Sequence, residues 1–190
     1  MRWRRKRRRS NMKVVIINGK AGCGKDTFVT MCRDVLGANW ILNISTVDYV
    51  KEVAQFCGWD GTKTPENRKF LSDLKDILTQ WDDVPLKKIC QEIKTWQHLW
   101  IASGEYDKAV VFIHCREPKE IKKLCKELST YNPITLLIRR DAAECVEQIN
   151  HADNEVLNYE YDYVILNNGT LSELRARAGM FLRECLELDI

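Results

Sequence analysis

One short stretch, GKAGCGKDT at residues 19–27, constrains the fold more than any other part of the sequence. It follows KVVIIN, a run rich in Val and Ile, and it precedes a helical pattern that ends at Gly37. Gly, four residues, Gly and Lys is the spacing of a phosphate-binding loop, in which backbone N–H groups and a lysine surround the phosphates. A glycine-rich turn without a ligand is the alternative. The agreement of spacing, strand and helix favours the phosphate site.

Asp26 departs from the usual form of this loop, in which the residue after the lysine is Ser or Thr and binds Mg²⁺ through its hydroxyl. A carboxylate is also a magnesium ligand, although it adds negative charge beside a triphosphate. Thr27 lies about 100° further round the helix and cannot replace it. We therefore expect Asp26 to bind Mg²⁺; the alternative is an acid that only complements the helix dipole. We also expect Cys23, at the helix start, to have a lowered pKa and to react readily.

Short apolar runs predict five strands buried on both faces, at residues 14–17, 40–44, 110–113, 134–138 and 163–166. Helical patterns separate or follow them, at residues 25–36, 46–56, 65–81, 85–101, 118–128, 142–149 and 171–188. Strands that alternate with helices predict an α/β fold with a five-stranded parallel sheet. Residues 46–104 form a helical insertion between strands two and three.

Two further patterns concern the helices. Capping boxes are expected at Ser45 with Asp48 and at Thr170 with Glu173. On the helix at 65–81, one apolar stripe is expected to face the core: Phe70, Leu74, Ile77, Leu78 and Trp81. Core packing is also expected for Trp96 and Trp100.

Composition indicates one globular domain, since the chain has 190 residues, of which 45% are hydrophobic. Residues 1–11 contain seven basic residues and no acidic one, so 23 basic and 27 acidic residues remain in the rest. This segment is either a disordered tail for nucleic acid or a membrane surface, or a misassigned start before Met12. The eight cysteines form no CxxC pair and the three histidines show no metal spacing, which favours a reducing cytoplasm.

Three stretches resemble parts of known kinases. GKAGCGKDT resembles the loop of phosphomevalonate kinase and of phage-type deoxynucleoside monophosphate kinases, in which Lys-Asp also occurs. ISTVDYVK, at residues 44–51, resembles the ISTGDMLR pattern of adenylate kinases. YDYVILNNGTLSEL, at residues 161–174, is similar to the last strand and following helix of several nucleotide and small-molecule kinases. The resemblance implies a P-loop kinase domain over 12–190, a lid at about 140–160, and ATP and Mg²⁺ as cofactors.

The resemblance also implies roles for individual residues. Thr46 and Lys51 would face a phosphate-accepting nucleotide, and Arg116 would hold its phosphate. The loop at residues 168–170 would pack on the donor adenine. The expected ATP-binding residues are then Gly19, Lys20, Ala21, Gly22, Cys23, Gly24, Lys25, Asp26, Thr27, Arg139, Asn168 and Gly169.

Phosphoryl transfer needs several cations around the reacting oxygens, and the ends of parallel strands are where they are expected. Lys25, Arg116 and Arg140 are the candidate catalytic cations. Arg68 on the insertion and Trp59 in its loop are candidates for acceptor contacts. A solvated basic turn is the alternative for Arg139 and Arg140, and a solvated face for Arg68. Two residues near the end of strand three complete the set, Glu117 as a water-mediated magnesium contact and His114 as a structural residue.

The sequence therefore predicts an ATP-dependent kinase whose acceptor is a nucleoside or deoxynucleoside monophosphate. One alternative is a kinase for another small phosphorylated acceptor, such as phosphomevalonate. A second is an ATP-binding regulator or a nucleic-acid-associated ATPase that uses the basic segment at residues 1–11, although no nucleic-acid-binding module is recognisable. No apolar run approaches the roughly 20 residues that a membrane span needs.

Overall fold

A parallel sheet of five strands organises the fold in the computed structural model, which describes residues 12–104, 106–144 and 156–188. The strands are β1 (Lys13–Asn18), β2 (Ile41–Ser45), β3 (Val110–His114), β4 (Ile134–Arg139) and β5 (Tyr163–Leu166). All pairs are parallel and the spatial order is β2-β3-β1-β4-β5. The five predicted strands and the α/β class are thereby confirmed. The expected burial on both faces is wrong for β5, which lies at the edge of the sheet and is mostly exposed.

Helices connect the strands in the predicted order. They are α1 (Lys25–Leu36), α2 (Asp48–Phe56), α3 (Pro65–Asp82), α4 (Val84–Ser103), α5 (Pro118–Glu127), the short α6 (Asp141–Glu144) and α7 (Leu171–Met180). A π-helical turn, Phe181–Cys185, continues α7, so the expected helix at 171–188 is shorter and changes its hydrogen bonding near the end. The segments at 1–11 and 145–155, which include most of the expected lid and of the helix at 142–149, lie outside the described residues.

Two apolar layers cover the two faces of the sheet. On one face, Phe28 of α1 packs edge-on against Phe112 of β3 and Phe181 of the π-helical turn. On the other face, Ile93 and Trp100 of α4 belong to the same core as α5 and the opposite sides of β1 and β3. Strands buried on both faces need such continuous apolar sequences, which is why these strands could be recognised from the sequence. No helix in the described part of the chain is both long and apolar enough to cross a membrane.

The two expected capping boxes have different outcomes. At α7 the box is confirmed, because the Thr170 N–H donates to the Glu173 carboxylate and the Glu173 N–H donates to the Thr170 hydroxyl. At α2 it is wrong, because the helix begins at Asp48 rather than Thr46. The Asp48 carboxylate accepts from the Ser45 N–H at 2.7 Å, but the Ser45 hydroxyl accepts from Val47.

The apolar stripe of α3 does not face the core, which corrects the sequence prediction. Although α3 is described throughout, none of its residues is buried. Phe70 is 40% exposed, Ile77 62% and Trp81 83%. The stripe has the period of an amphipathic helix, but α3 packs on α2 and α4, outside the layer that covers the sheet. For Trp96, half-buried, and Trp100, 3% exposed, the expected core packing is confirmed.

Ion pairs attach α3 to the rest of the domain. The Lys75 ammonium lies 2.7 Å from a Glu117 carboxylate oxygen and 2.8 Å from one of Glu120, and the Lys75 side chain is only 11% exposed. Lys123 of α5 pairs with Asp83, directly after α3, at 2.7 Å. The Glu117 carboxylate thus pairs with Lys75, and its expected water-mediated magnesium contact stays a prediction.

We expect Lys75→Met to reduce the free energy of unfolding by about 3 kcal/mol, because it leaves the half-buried Glu120 without its counter-charge. Lys69→Met is the matched control on the same helix, since Lys69 forms an exposed pair with Asp73 and should lose less than about 1 kcal/mol. Urea denaturation at constant m-value measures both. Equal losses in the two variants would contradict a special role of Lys75.

Candidate functional site

The loop after β1 lies at the point in the sheet where the strand order reverses. β1 has β3 on one side and β4 on the other, so the carboxyl ends of three strands surround the loop. In open parallel sheets, ligands bind in the crevice outside the strand ends at such a switch point. The predicted loop is therefore at the position in the fold where a ligand site is expected.

Two loop glycines are required by close approaches of other groups. Gly19 has φ +149°, and a Cβ there would lie 2.4 Å from the Ile138 carbonyl oxygen of β4. Gly24 has φ +97°, and its Cβ would lie 2.3 Å from the Asn167 side-chain nitrogen. A larger residue at Gly19 would meet the backbone of β4, and the positive φ at both positions favours glycine.

Two asparagines that the sequence analysis missed anchor the loop. Asn167, just after β5, donates from its side chain to the Cys23 carbonyl at 2.9 Å. The fully buried Asn18 accepts from the Gly19 N–H at 2.8 Å and donates to the Arg116 carbonyl at 2.9 Å and the Tyr161 hydroxyl at 2.7 Å. The only sequence signal for either residue is an Asn at a strand end beside a glycine-rich turn.

The Lys25 ammonium lies across the mouth of the loop. It donates to the carbonyls of Gly19 and Lys20, the latter at 3.0 Å. The first N–H groups of α1 have no partner inside the helix, and their positive potential adds to that of the lysine. The arrangement can hold an anion such as a phosphate, with the ammonium exchanging carbonyl oxygens for phosphate oxygens.

Cys23 differs from the expectation of a reactive thiol. Its side chain is buried under the loop, where a Cβ on Gly19 would meet the Cys23 sulfur at 2.6 Å. Burial raises the pKa of the Cys23 thiol, and the nearby Lys25 charge, 3.8 Å away, lowers it by less. The prediction of a lowered pKa was wrong because it placed the thiol among the loop amides rather than beneath them.

Asp26, at the start of α1, lies near His114, at the end of β3. The Asp26 side chain is 91% exposed, and its Oδ1 lies 3.8 Å from His114 Nε2 at the end of β3. The same His114 nitrogen lies 2.8 Å from Asn43 Oδ1 on β2. Burial is the main cause that lowers the pKa of His114, and the charge of Asp26 opposes it. The sequence analysis treated His114 as structural, because one histidine at a strand end carries no spacing signal.

The donor set fits Mg²⁺ only in combination with a phosphate. Within the described ranges, no three His, Cys, Asp or Glu side chains are grouped to hold a metal ion. Mg²⁺ is commonly bound through one or two carboxylates together with phosphate oxygens. The exposed Asp26 carboxylate beside the loop satisfies that requirement without a larger cluster.

A cavity of about 530 Å³ adjoins the loop, within the size range of small-molecule sites. Its lining combines the loop with the turn after β5: Gly22, Gly24, Lys25, Asp26, Thr27, Arg140, Asn167, Gly169, Thr170, Leu171 and Leu174. Arg140 and Gly169 are thus brought to the loop. Asn168 instead exchanges hydrogen bonds with Asp141 at 2.8 and 2.9 Å, and the Arg139 carbonyl accepts from the Asn167 N–H at 2.7 Å.

The acceptor candidates are only partly gathered. Thr46 is buried and its N–H donates to the His114 carbonyl at 3.1 Å, which places it at the same strand ends as Arg116. Lys51 lies one turn into α2 and pairs with Asp48 at 3.2 Å. The remaining two candidates are Trp59, in the α2–α3 loop, and Arg68, in the first turn of α3. Within the described residues, the hydrogen bonds found for Trp59 and Arg68 are local and do not reach Thr46, Lys51 or Arg116.

Comparison with known proteins gives only distant similarity. No family model matches the chain, and no curated protein is similar to it in sequence. A structure of the APS kinase of Mycobacterium tuberculosis is 12% identical, covers 92% of this chain and 99% of that chain, and has a TM-score of 0.43. A sugar kinase of a Janibacter species is 14% identical, covers 93% of this chain and 97% of that chain, and has a TM-score of 0.45. The shikimate kinase of Bacteroides thetaiotaomicron is 13% identical, covers 93% of this chain and 99% of that chain, and has a TM-score of 0.43. These values do not assign the chain to a family.

We expect iodoacetamide to label Cys23 much more slowly than the exposed Cys57 at pH 8, because burial restricts access and the raised pKa leaves less thiolate. Because the thiolate is the reacting form, a raised pKa shifts the pH at which Cys23 begins to react to a higher value. Peptide-level mass spectrometry at several pH values measures both rates. Labelling of Cys23 as fast as Cys57 would show that the loop opens readily.

Proposed function

We propose that this chain is an ATP-dependent phosphotransferase of the P-loop kinase type, with a nucleoside or deoxynucleoside monophosphate as acceptor. The observation that carries the proposal is the loop itself, whose Gly19 and Gly24 pack against strand ends while Lys25 lies across its mouth. This geometry is suited to binding a polyphosphate. The adjoining cavity would take the nucleoside part of ATP, between Arg140 and the turn that contains Gly169.

On the donor side, the loop amides and the start of α1 would bind the phosphates, and Lys25 would bridge the outer two. Asp26 would hold Mg²⁺, which supplies charge neutralisation on the phosphate oxygens when bound. Arg140 also lines the cavity and would contribute positive charge to the transferred group. Catalysis in this class consists mainly of placing such charges and excluding water.

On the acceptor side, the supporting geometry is the proximity of two strand ends to the loop. Arg116 follows β3, and its carbonyl is bonded to Asn18, which also accepts from the first loop amide. Thr46 follows β2, the neighbour of β3, and Lys51 lies one turn further into α2. An acceptor phosphate held by Arg116 would face the loop from this side. The resemblance of ISTVDYVK to the adenylate kinase pattern supports a nucleotide as acceptor.

The cysteines support a reducing compartment such as the cytoplasm, because the seven in the described residues are all free thiols.

A small phosphorylated acceptor other than a nucleotide remains the second candidate, since the donor side would be unchanged. A coupled assay with ATP, Mg²⁺ and a panel of nucleoside monophosphates, with phosphomevalonate as the matched alternative, separates the two. ATP hydrolysis that requires DNA or RNA, without any transfer, would instead support a nucleic-acid-associated ATPase.

We expect Lys25→Met to lower kcat by a factor of about 100 or more, because the Lys25 ammonium lies across the mouth of the loop, where it would place its charge between the outer phosphates. Lys122→Met, on the exposed side of α5, is the control and should leave the rate unchanged. Initial rates at saturating ATP and acceptor measure the effect. A variant that kept more than about a tenth of the rate, a loss of only about 1.4 kcal/mol, would contradict this role of Lys25.

We expect Arg116→Ala and Lys51→Ala to raise the KM for the acceptor about tenfold while leaving the KM for ATP nearly unchanged. Lys51 is a clean probe, because its pair with Asp48 is exposed and contributes little stability. Steady-state kinetics with each substrate varied in turn give the two KM values. An equal rise in the KM for ATP would place these cations on the donor side.

A further inference from the structure

The imidazole of His114 is held in one orientation at the end of β3. Its Nε2 lies 2.8 Å from Asn43 Oδ1, and its side chain is 14% exposed. Asn43 and His114 lie on the same face of the sheet, since Ser45 is the register partner of His114 and alternate residues share a face. With the Asn43 amide oxygen assigned on this side, the tautomer that satisfies the contact is the one with hydrogen on Nε2, because an amide oxygen can only accept.

The Asp26 carboxylate lies just beyond hydrogen-bond distance of that N–H. The 3.8 Å separation of Oδ1 and Nε2 exceeds a normal N–H···O distance by less than about 1 Å. The Asp26 side chain is 91% exposed, so packing would not block a change of rotamer that closes this gap. The N–H of His114 can then be shared between Asn43 and Asp26.

Charges of both signs surround His114. The groups that influence it are Lys25, Asp26, Asp48 and Arg116, two cations and two acids. Burial lowers the pKa of His114 and the charge of Asp26 opposes that shift. A neutral ring can orient the carboxylate without adding a positive charge that would repel a divalent cation.

An aspartate needs such orientation more than the usual hydroxyl residue does. Its carboxylate is one bond further from the backbone than a serine hydroxyl, and an exposed carboxylate must give up rotamer freedom to bind a cation. We propose that His114 is a positioning residue that holds the Asp26 carboxylate on the magnesium side of the loop. The inference rests on the ATP site of the proposed function, but it does not require phosphate transfer.

The contact itself can be tested by NMR, because the chain has only three histidines. His114→Gln assigns the ring signal of His114, and the exposed His98 serves as an internal reference. At fixed pH, Asp26→Asn should shift the His114 signal, whereas Asp34→Asn at the other end of α1 should not. An unchanged His114 signal in Asp26→Asn would overturn the proposal.

The positioning role is tested by the magnesium dependence of ATP binding, measured by titration calorimetry without an acceptor. His114→Phe, which removes the N–H, should raise the Mg²⁺ concentration for half-maximal binding about threefold. His114→Gln, which keeps an N–H near the same place, should restore most of the loss. In an Asp26→Asn background, His114→Phe should add nothing further, because the group that it positions has lost its charge.

Asn43→Ala is a second variant for the case that His114→Phe does not fold, because it frees the ring from its fixed orientation and should shift the midpoint in the same direction. An unchanged midpoint in the variants that fold, or an equal shift with and without Asp26, would overturn the positioning role. If wild-type protein binds ATP with magnesium but transfers phosphate to no acceptor, the proposed function fails and these measurements still decide the role of His114. If ATP does not bind at all, both fail.

Discussion

The buried side chain of Asn18 joins the parts of the molecule on which the site depends. Its oxygen accepts from the first loop amide, and its nitrogen donates to the Arg116 carbonyl after β3 and to the Tyr161 hydroxyl before β5. Tyr161 in turn donates to the Val156 carbonyl at 2.8 Å. A buried amide is stable only if its polar atoms are bonded, so the loop and the two other segments must adopt their positions together. The donor and acceptor sides of the proposed reaction are thereby fixed relative to each other through one residue.

Much of the fold was predictable because it depends on residues close together in the chain. The five apolar runs predicted five strands with ends correct to within one residue. The box formed by Thr170 and Glu173 depends on positions three residues apart, and its prediction was correct. The loop spacing identified Gly24 and Lys25 because the turn itself needs those residue types. In each case the physical constraint and the sequence pattern have the same short range.

The failures concern contacts between distant positions. The stripe that includes Trp81 has a helical period, but a period does not show whether the facing surface is the sheet or the solvent. The pKa of Cys23 depends on burial beneath a neighbouring glycine, which no spacing reveals. Asn18 and Arg116 are 98 positions apart, and Asn43 and His114 are 71 apart. Single polar residues at strand ends become interpretable only when the sheet has brought such positions together.

The attachment of α3 by ion pairs has a consequence for how this protein can change during evolution. A helix without a buried residue contributes little to the core, so most of its positions can be substituted without loss of folding. Among the described residues, the ion pairs of Lys75 with its two carboxylate partners and of Lys123 with Asp83 keep the helix in place beside the end of β3. The sequence of α3 can therefore diverge while the sheet and the phosphate-binding loop remain unaltered, so this exposed part of the domain can change independently of the core.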